Sequence, residues 1–404
     1  MLEHSHIMGG STAKRRINCP GSLNAEKAAP EQATSEFAVR GSMLHAAMEL
    51  LLTADPENMT EGAPLLDELV GQDLGFGEDY EITRELIDTK LYPALEAWFM
   101  VRDASAMKDG NYRWDDWFIE QRVNLDNVAP GAFGTADLIG IDLKKRLHIL
   151  DWKFGDGVVV PVEGNVALGF YAAAAMYDND PEMQEFCADL TGVVLHIVQP
   201  RVGSDVVLHT WETDEDWIEK LTNQIDLAMK AAIKPDAPLK TGDWCQFCRA
   251  RATCPAQQAL ASSALSTVPK SMTSVDLGAA MLLAQQLKTW ISEVVKLAQV
   301  EAEAGAVIPG FKLVNKRPTR VWTDEAMAEK RMRNAKVPAG KMFNKKLVSP
   351  AQAEKANKEL YGSKLSDIVA MHSTGLTLVP DSDKRQAVTS SIELLAAALP
   401  EQKQ

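Results

Sequence analysis

The chain has 404 residues, 46% of them hydrophobic and 24% charged, which excludes a disordered chain and leaves room for two or three structural units. No apolar run reaches the roughly 18 residues needed to span a bilayer, and the polar start with His4 and His6 has no apolar signal region, so a cytoplasmic protein without membrane contact is predicted. The formal charge of −14 excludes a surface basic throughout, although residues 306–404 carry 17 Lys and Arg against 10 Asp and Glu and leave −21 on residues 1–305. That basic end is where a polyanion would first land; an ordinary helical surface is the plainer reading.

In chain order, Cys19 stands just before a Pro20-Gly21 turn and after Arg15-Arg16. Residues 40–52 predict a helix that sets His45 and Glu49 on one face, with Gly41 leaving room for a backbone or ligand to approach. Residues 54–80 read as an acidic surface loop, and 81–107 as an amphipathic helix whose Ile82, Leu86, Leu91, Leu95 and Trp98 form a core stripe. Strands are predicted at 118–123, 134–142 and 146–153, then an alanine-rich helix through Met176, strands at 192–201 and 206–210, and a helix at 214–232. This is an α/β core with mixed strand directions. Beyond it come a long amphipathic helix at 273–304, a basic strand-like stretch at 311–317, a Lys/Arg-rich run at 329–346, short helices around 350–371 and an extended 376–380. There is no internal repeat and no phosphate-cradling glycine loop, so no motor activity is encoded.

The chemistry concentrates in Gly134-Thr135-Ala136-Asp137 and Asp151-Trp152-Lys153. Asp151 and Lys153 project from one face of a strand with Trp152 on the other, at the end of a buried strand where charge is costly without a partner. Asp137 and Asp151 can hold a hard cation such as Mg²⁺ or Mn²⁺, Lys153 can orient a water or steady developing charge, and a neutral His45 can complete the coordination. Taken alone, a D-x-K pair is more often a solvated strand end, and a helical histidine is more often structural. The five cysteines are too few for a disulfide scaffold, but Cys245, Cys248 and Cys254 followed by Pro255 form a C-x₂-C-x₅-C-P metal signature. Cys19 is the natural fourth ligand; an iron–sulfur cluster and Zn²⁺ both suit four thiolates, and Cys187 reads as a buried hydrophobe.

With these residues, the chain resembles the RecB-like branch of PD-(D/E)XK nucleases over about residues 14–260, in particular the AddB-type members with an iron–sulfur cluster. The pattern G-x-x-x-H-x-x-x-E falls on Gly41, His45 and Glu49, G-x-x-D on Gly134 to Asp137, and D-x-K on Asp151 to Lys153. The segments Cys19-Pro20-Gly21-Ser22, Gln199-Pro200-Arg201, Pro309-Gly310-Phe311-Lys312 and 381–385 look further like an uncharacterised phage and prophage family within that branch, associated with viral DNA replication or recombination.

The resemblance implies a restriction-endonuclease-like mixed sheet flanked by helices and stapled by the cluster, in residues 1–262, with a mostly helical, basic accessory region in 263–404. It implies Mg²⁺ or Mn²⁺ at His45, Asp137, Asp151 and Trp152; Asp137, Asp151, Lys153, His45, Glu49 and Tyr171 as catalytic residues; and a [4Fe–4S] cluster, or structural Zn²⁺, on Cys19, Cys245, Cys248 and Cys254. The activity implied is a metal-dependent DNA exonuclease working on ends or single strands in the cytoplasm of a bacterial host. Its partners would be DNA and a phage single-strand-binding or recombination protein, with Arg15, Arg16 and the C-terminal Lys/Arg patch gripping the strand. The alternatives are a DNA-binding or recombination-assembly module with weak or lost cleavage, and a zinc-stabilised scaffold. The family's Q-x-x-x-Y motif places Ala167 where glutamine is usual, with Tyr171 retained, and Gln199 and Asn165 are the two candidates to substitute.

Overall fold

A computed structural model describes residues 5, 7–30, 34–53, 63–105, 117–155, 159–200, 207–266, 274–316, 318–344, 346–350, 352–353, 368–372, 376–380 and 385–388. The chain divides into two units, residues 1–287 and 288–404, with the division inside a long helix. No helix among the described residues is long and apolar enough to cross a membrane.

The first unit opens with α1 (Gly10–Asn18), α2 (Ser22–Ala28), α3 (Glu36–Thr53) and α4 (Ala63–Glu68), so the stretch expected to be a loop carries a short helix. The predicted helix at 81–107 is observed as α5 (Arg84–Leu86), a π-turn (Ile87–Leu91) and α6 (Tyr92–Ser105), opened by Thr83, whose hydroxyl accepts the Leu86 N–H. Next come β1 (Trp117–Asn124), β2 (Phe133–Ile141), β3 (Arg146–Trp152), α7 (Val166–Met176), α8 (Pro181–Phe186), β4 (Gly192–Val198), β5 (Leu208–Thr213), α9 (Glu215–Ala232), α10 (Pro255–Ser266) and α11 (Ser274–Glu303).

The five strands form one mixed sheet in sequence order. β1, β2 and β3 are an antiparallel meander, β3 and β4 are parallel, and β5 returns antiparallel to β4. A parallel neighbour cannot be reached through a tight turn, so the chain crosses over through α7 and α8 between β3 and β4. Strands buried on both faces need apolar residues at successive positions, as Val193, Val194, Leu195 and Ile197 supply in β4. One core packs Leu147, Ile149, Leu195 and Ile197 with α7 and α9; the other packs Leu150, Trp152 and Val198 with α3 and α6. Four consecutive buried alanines, Ala172 to Ala175, give α7 the small girth that a crossover helix needs to lie close on the sheet. The mixed α/β sheet flanked by helices agrees with the sequence reading.

The second unit carries more strand than expected. β6 (Phe311–Asn315) pairs with the distant β11 (Leu376–Pro380), and β7 (Thr319–Trp322) with β10 (Val369–His372). Between them lie α12 (Glu325–Asn334), α13 (Ala339–Met342) and the small hairpin β8 (Phe343–Asn344) and β9 (Lys346–Leu347). Ala328, Met332, Val337, Met342, Ala353 and Ile368 form its core. The short helices expected around 350–371 fall largely outside the described residues, as do Arg201 and 381–384.

Candidate metal centre

Register brings the acids together. Ile119 pairs with Leu138 and Gln121 with Ala136, which sets Glu120 of β1 opposite Asp137 of β2. The β2–β3 ladder ends at Leu138 and Leu150, and Asp137 and Asp151 are the next residues beyond it, with the Trp152 N–H reaching across to the Asp137 side chain. Carboxylates from three adjacent strands therefore gather where β2 and β3 leave their ladder. Asp137 and Asp151 are buried, and the Glu120 side chain is 6% exposed.

From α3, whose Leu44, Ala47, Met48 and Leu51 anchor it on the core, His45 reaches the same level. Its Nδ1 lies 3.4 Å from Asp137 Oδ1 and 3.8 Å from Glu120 Oε1, and the ligand atoms of His45, Glu120 and Asp137 all fall within 4.8 Å of one another. The Trp152 backbone N–H donates to Asp137 Oδ2 at 2.6 Å, while the indole is buried in the core. Trp152 can therefore serve a cation through its backbone alone. Lys153, just past β3, contacts Asp151 Oδ2 through its ammonium. Tyr171 of α7 rests against two glycines: a Cβ on Gly134 would come within 2.7 Å of its ring, and one on Gly10 within 2.5 Å. The glycine of G-x-x-D thus makes room for the tyrosine. Glu49, one turn beyond His45, is exposed and reaches the group only through its charge on Glu120. A Cβ on Gly41 would meet nothing within 4 Å, so that glycine opens onto free space and not onto a close neighbour.

The electrostatics follow from this crowding. Burial favours a neutral His45, but the charge of Asp137 and hydrogen bonds to Asp137 and Glu120 outweigh it and hold the imidazole's pKa up at about 10. Burial opposes the Asp137 charge, yet His45, Lys153 and the Trp152 N–H together keep its pKa below the usual carboxylate value. Burial raises the pKa of Asp151 and of Glu120, more than their positive neighbours lower it. Burial would lower Lys153, and the two aspartates raise it instead. Tyr171 is pushed up by burial and by all three carboxylates, so its phenol stays protonated.

The loop after β3 is fastened by Gln199, 2% exposed, whose Nε2 donates to Gly155 O at 2.9 Å and whose Oε1 accepts Val160 N–H at 3.1 Å. Asn165 caps α7 by accepting from Ala167 and Leu168 N–H groups, so it is committed to the helix end. Both candidates for the missing glutamine's role thus have backbone partners. Glu120 was missed altogether.

Cys19, Cys245, Cys248 and Cys254 line one cavity together with Arg15, Gln257 and Trp244. Lys240 fastens two of them: its N–H donates to Cys19 Sγ at 3.2 Å, and its carbonyl lies 3.9 Å from Cys245 Sγ. Among the described residues no three thiols bring their sulfurs within 4.8 Å of one another, so they are not crowded as around a single ion. Burial first, and the Glu26 charge second, push the Cys248 thiol up to about 12. Arg15 Nε and Gln257 Oε1 are buried on this cavity without a hydrogen-bond partner. Arg15 and Arg16 were expected to grip DNA, but they are buried and paired with Glu26 at 3.0 and 2.8 Å. One carboxylate holds both guanidinium groups inside the fold. Cys187 stands apart, half-buried at the end of α8 against the core.

Fold and site together define a mixed α/β protein with a histidine–carboxylate group able to hold a metal ion. The chain belongs to the DUF2800 family, described as proteins of unknown function, whose profile matches residues 4–386. Among solved structures, a candidate exonuclease from Eubacterium rectale matches with 11% identity and a TM-score of 0.31, over 67% of this chain and 92% of that one. The protein SSO0001 matches with 11% identity and a TM-score of 0.22, over 61% of this chain and 94% of that one.

Proposed function

We propose that this protein is a divalent-metal-dependent deoxyribonuclease of the PD-(D/E)XK kind, acting on DNA ends or single strands in phage-type recombination or replication. The observation that carries the reading is the row of Glu120, Asp137 and Asp151, met by His45 from one side and Lys153 from the other. His45, Asp137, Asp151 and the Trp152 backbone would hold Mg²⁺ or Mn²⁺, which supplies polarisation of a phosphate and a lowered water pKa. The Lys153 ammonium, held by Asp151, is placed to steady negative charge gathering on phosphate oxygens. Tyr171 keeps its proton beside the acids and can donate a hydrogen bond to the same group. His45 must shed its proton to act as a ligand. Glu49, exposed, would act through charge alone.

The four cysteines lining one cavity would hold a [4Fe–4S] cluster in a structural role, with Zn²⁺ as the alternative. A single tetrahedral ion about 2.3 Å from each sulfur wants the sulfurs about 3.8 Å apart, and among the described residues no three of these stand within 4.8 Å of one another, whereas a four-iron cluster would give each thiolate its own iron. Unpartnered Arg15 Nε would find an acceptor in such a cluster.

End-labelled single- and double-stranded DNA incubated with anaerobically purified protein and Mg²⁺ or Mn²⁺ tests the proposal. Progressive shortening is expected, with Asp151→Ala and Lys153→Ala lowering the rate by about 100-fold or more while binding persists. Ala167 favours a second reading, a nuclease fold that binds DNA without efficient cutting; retained binding with no shortening by the wild type would select it.

A further inference from the structure

We propose that Arg15 is a positioning residue for the occupant of the cysteine cavity: it presents its Nε–H, and the positive charge that Glu26 leaves unbalanced, to a [4Fe–4S] cluster, which it helps to hold and makes easier to reduce. This rests on the cluster reading of Cys19, Cys245, Cys248 and Cys254 and is independent of the metal ion proposed beside Asp137 and Asp151. Arg15 and Arg16 follow one another in the last turn of α1, and Glu26 of α2 pairs with both, at 3.0 and 2.8 Å. All three side chains are less than a tenth exposed. Two guanidinium groups on one carboxylate leave a positive charge inside the fold, where charge without a counter-charge is costly. Among the described residues no carboxylate lines the cavity, and a second buried arginine, Arg251, stands in its wall with its guanidinium donating to the Cys245 carbonyl.

Position decides what the surplus charge serves. Arg15 lines the cavity, and while its Nη2 is spent on Glu26, its Nε is buried with no hydrogen-bond partner, which is costly until an acceptor arrives. The charges of Arg15 and of Arg16 both act on Cys248. Four thiolates around a [4Fe–4S]²⁺ core make a dianion whose sulfurs accept hydrogen bonds. Arg15 meets both properties, as donor and as counter-charge. Reduction by one electron adds a further negative charge, so a cation in the wall favours the reduced form; net charge and hydrogen bonds to sulfur are among the factors that set such potentials.

The test uses the full chain, purified anaerobically as wild type, Arg15→Gln and Arg15→Lys. Iron content and visible absorption are measured first. The midpoint of reduction is then followed by electron paramagnetic resonance with chelated Eu²⁺ as reductant, each Eu²⁺ passing one electron to [4Fe–4S]²⁺ to give Eu³⁺ and [4Fe–4S]⁺. Arg15→Gln is expected to favour the oxidised form about tenfold, a fall in midpoint of about 59 mV. Arg15→Lys, which keeps the charge and gives up the Nε–H, should recover part of that fall. An unmoved midpoint in iron-loaded Arg15→Gln, or no recovery in Arg15→Lys, overturns the inference and leaves the cluster reading standing. Should the variants fail to fold, wild type grown on ¹⁵N-arginine decides: pulsed resonance of the reduced cluster should show an arginine nitrogen coupling, and its absence overturns the inference. A colourless wild type that takes up Zn²⁺ in place of iron removes the cluster reading and this inference together.

Discussion

The three carboxylates and the four thiols sit toward opposite ends of one short helix. Gly10, at the start of α1, touches Tyr171 beside the acids, and Cys19 caps its far end, about 13 Å away for nine residues. The acids are aligned by a sheet ladder, in which each strand fixes the level of the next. The thiols are gathered by a helix cap and a loop more than 200 residues downstream, with Lys240 fastening two of them. Their protonation differs in the same way: carboxylate charge holds the proton on His45, while burial holds it on Cys248. A site made by register keeps its geometry without an occupant; a site made by loop closure depends on what fills it.

The sharpest probe of this contrast is pH. His45 has its folded pKa raised from 6.5 to about 10, so its charge stabilises the metal-free fold fully below pH 6.5, and that contribution fades as pH climbs through about 10. A metal needs the neutral imidazole and must expel this proton, so apparent Mn²⁺ affinity should rise up to about tenfold per pH unit from 6.5 toward 10. Calorimetry in buffers of different ionisation enthalpy measures the released proton, and His45→Gln should flatten the profile. An affinity unchanged between pH 7 and 9 in the wild type would refute a protonated His45 among the ligands.

Next in size is Cys19→Ser. If the cavity depends on its occupant, the variant should lose visible absorption and about 2 kcal/mol of stability, a fall in melting temperature of roughly 5 °C. Mn²⁺ uptake at the acid row should be unchanged, because the β1–β2–β3 ladder contains no cysteine. Loss of Mn²⁺ binding as well would make α1 a coupling element and the two sites one cooperative assembly.

The same contrast explains what sequence could reveal. Asp151 and Lys153 announce themselves as a charged pair ending an apolar strand, and the cysteines by spacing. Glu120 carries no such mark, since it sits in an unremarkable strand and its distinguishing feature is a backbone angle. Counting register through the meander would have found it, as 120, 137 and 151 align once the two turns are placed. Arg15 and Arg16 misled because Glu26, the acid that pairs with both inside the fold, lies beyond the turn, in the next helix. Gln199 and Asn165 were the two candidates to stand in for the missing glutamine, and both have backbone partners, Gln199 at Gly155 and Val160 and Asn165 at a helix cap.

The smallest effect tests how rigid a site made by register is. Gly134→Ala would put a methyl group 2.7 Å from the Tyr171 ring, closer than carbon atoms approach, while leaving every ligand in place. The ring must shift, and it cannot retreat directly because Gly10 stands close against it, where a Cβ would lie only 2.5 Å away. Cleavage should fall by about three- to tenfold, roughly 1 kcal/mol, through loss of a well-placed phenol. Metal affinity should hold, and Tyr171→Phe should show the same fall without further loss in the double variant. A drop in Mn²⁺ affinity on Gly134→Ala would mean that β2 shifts when the tyrosine does. The ladder would then be as compliant as the loop that carries the thiols, since Asp137 lies only three residues along the same strand.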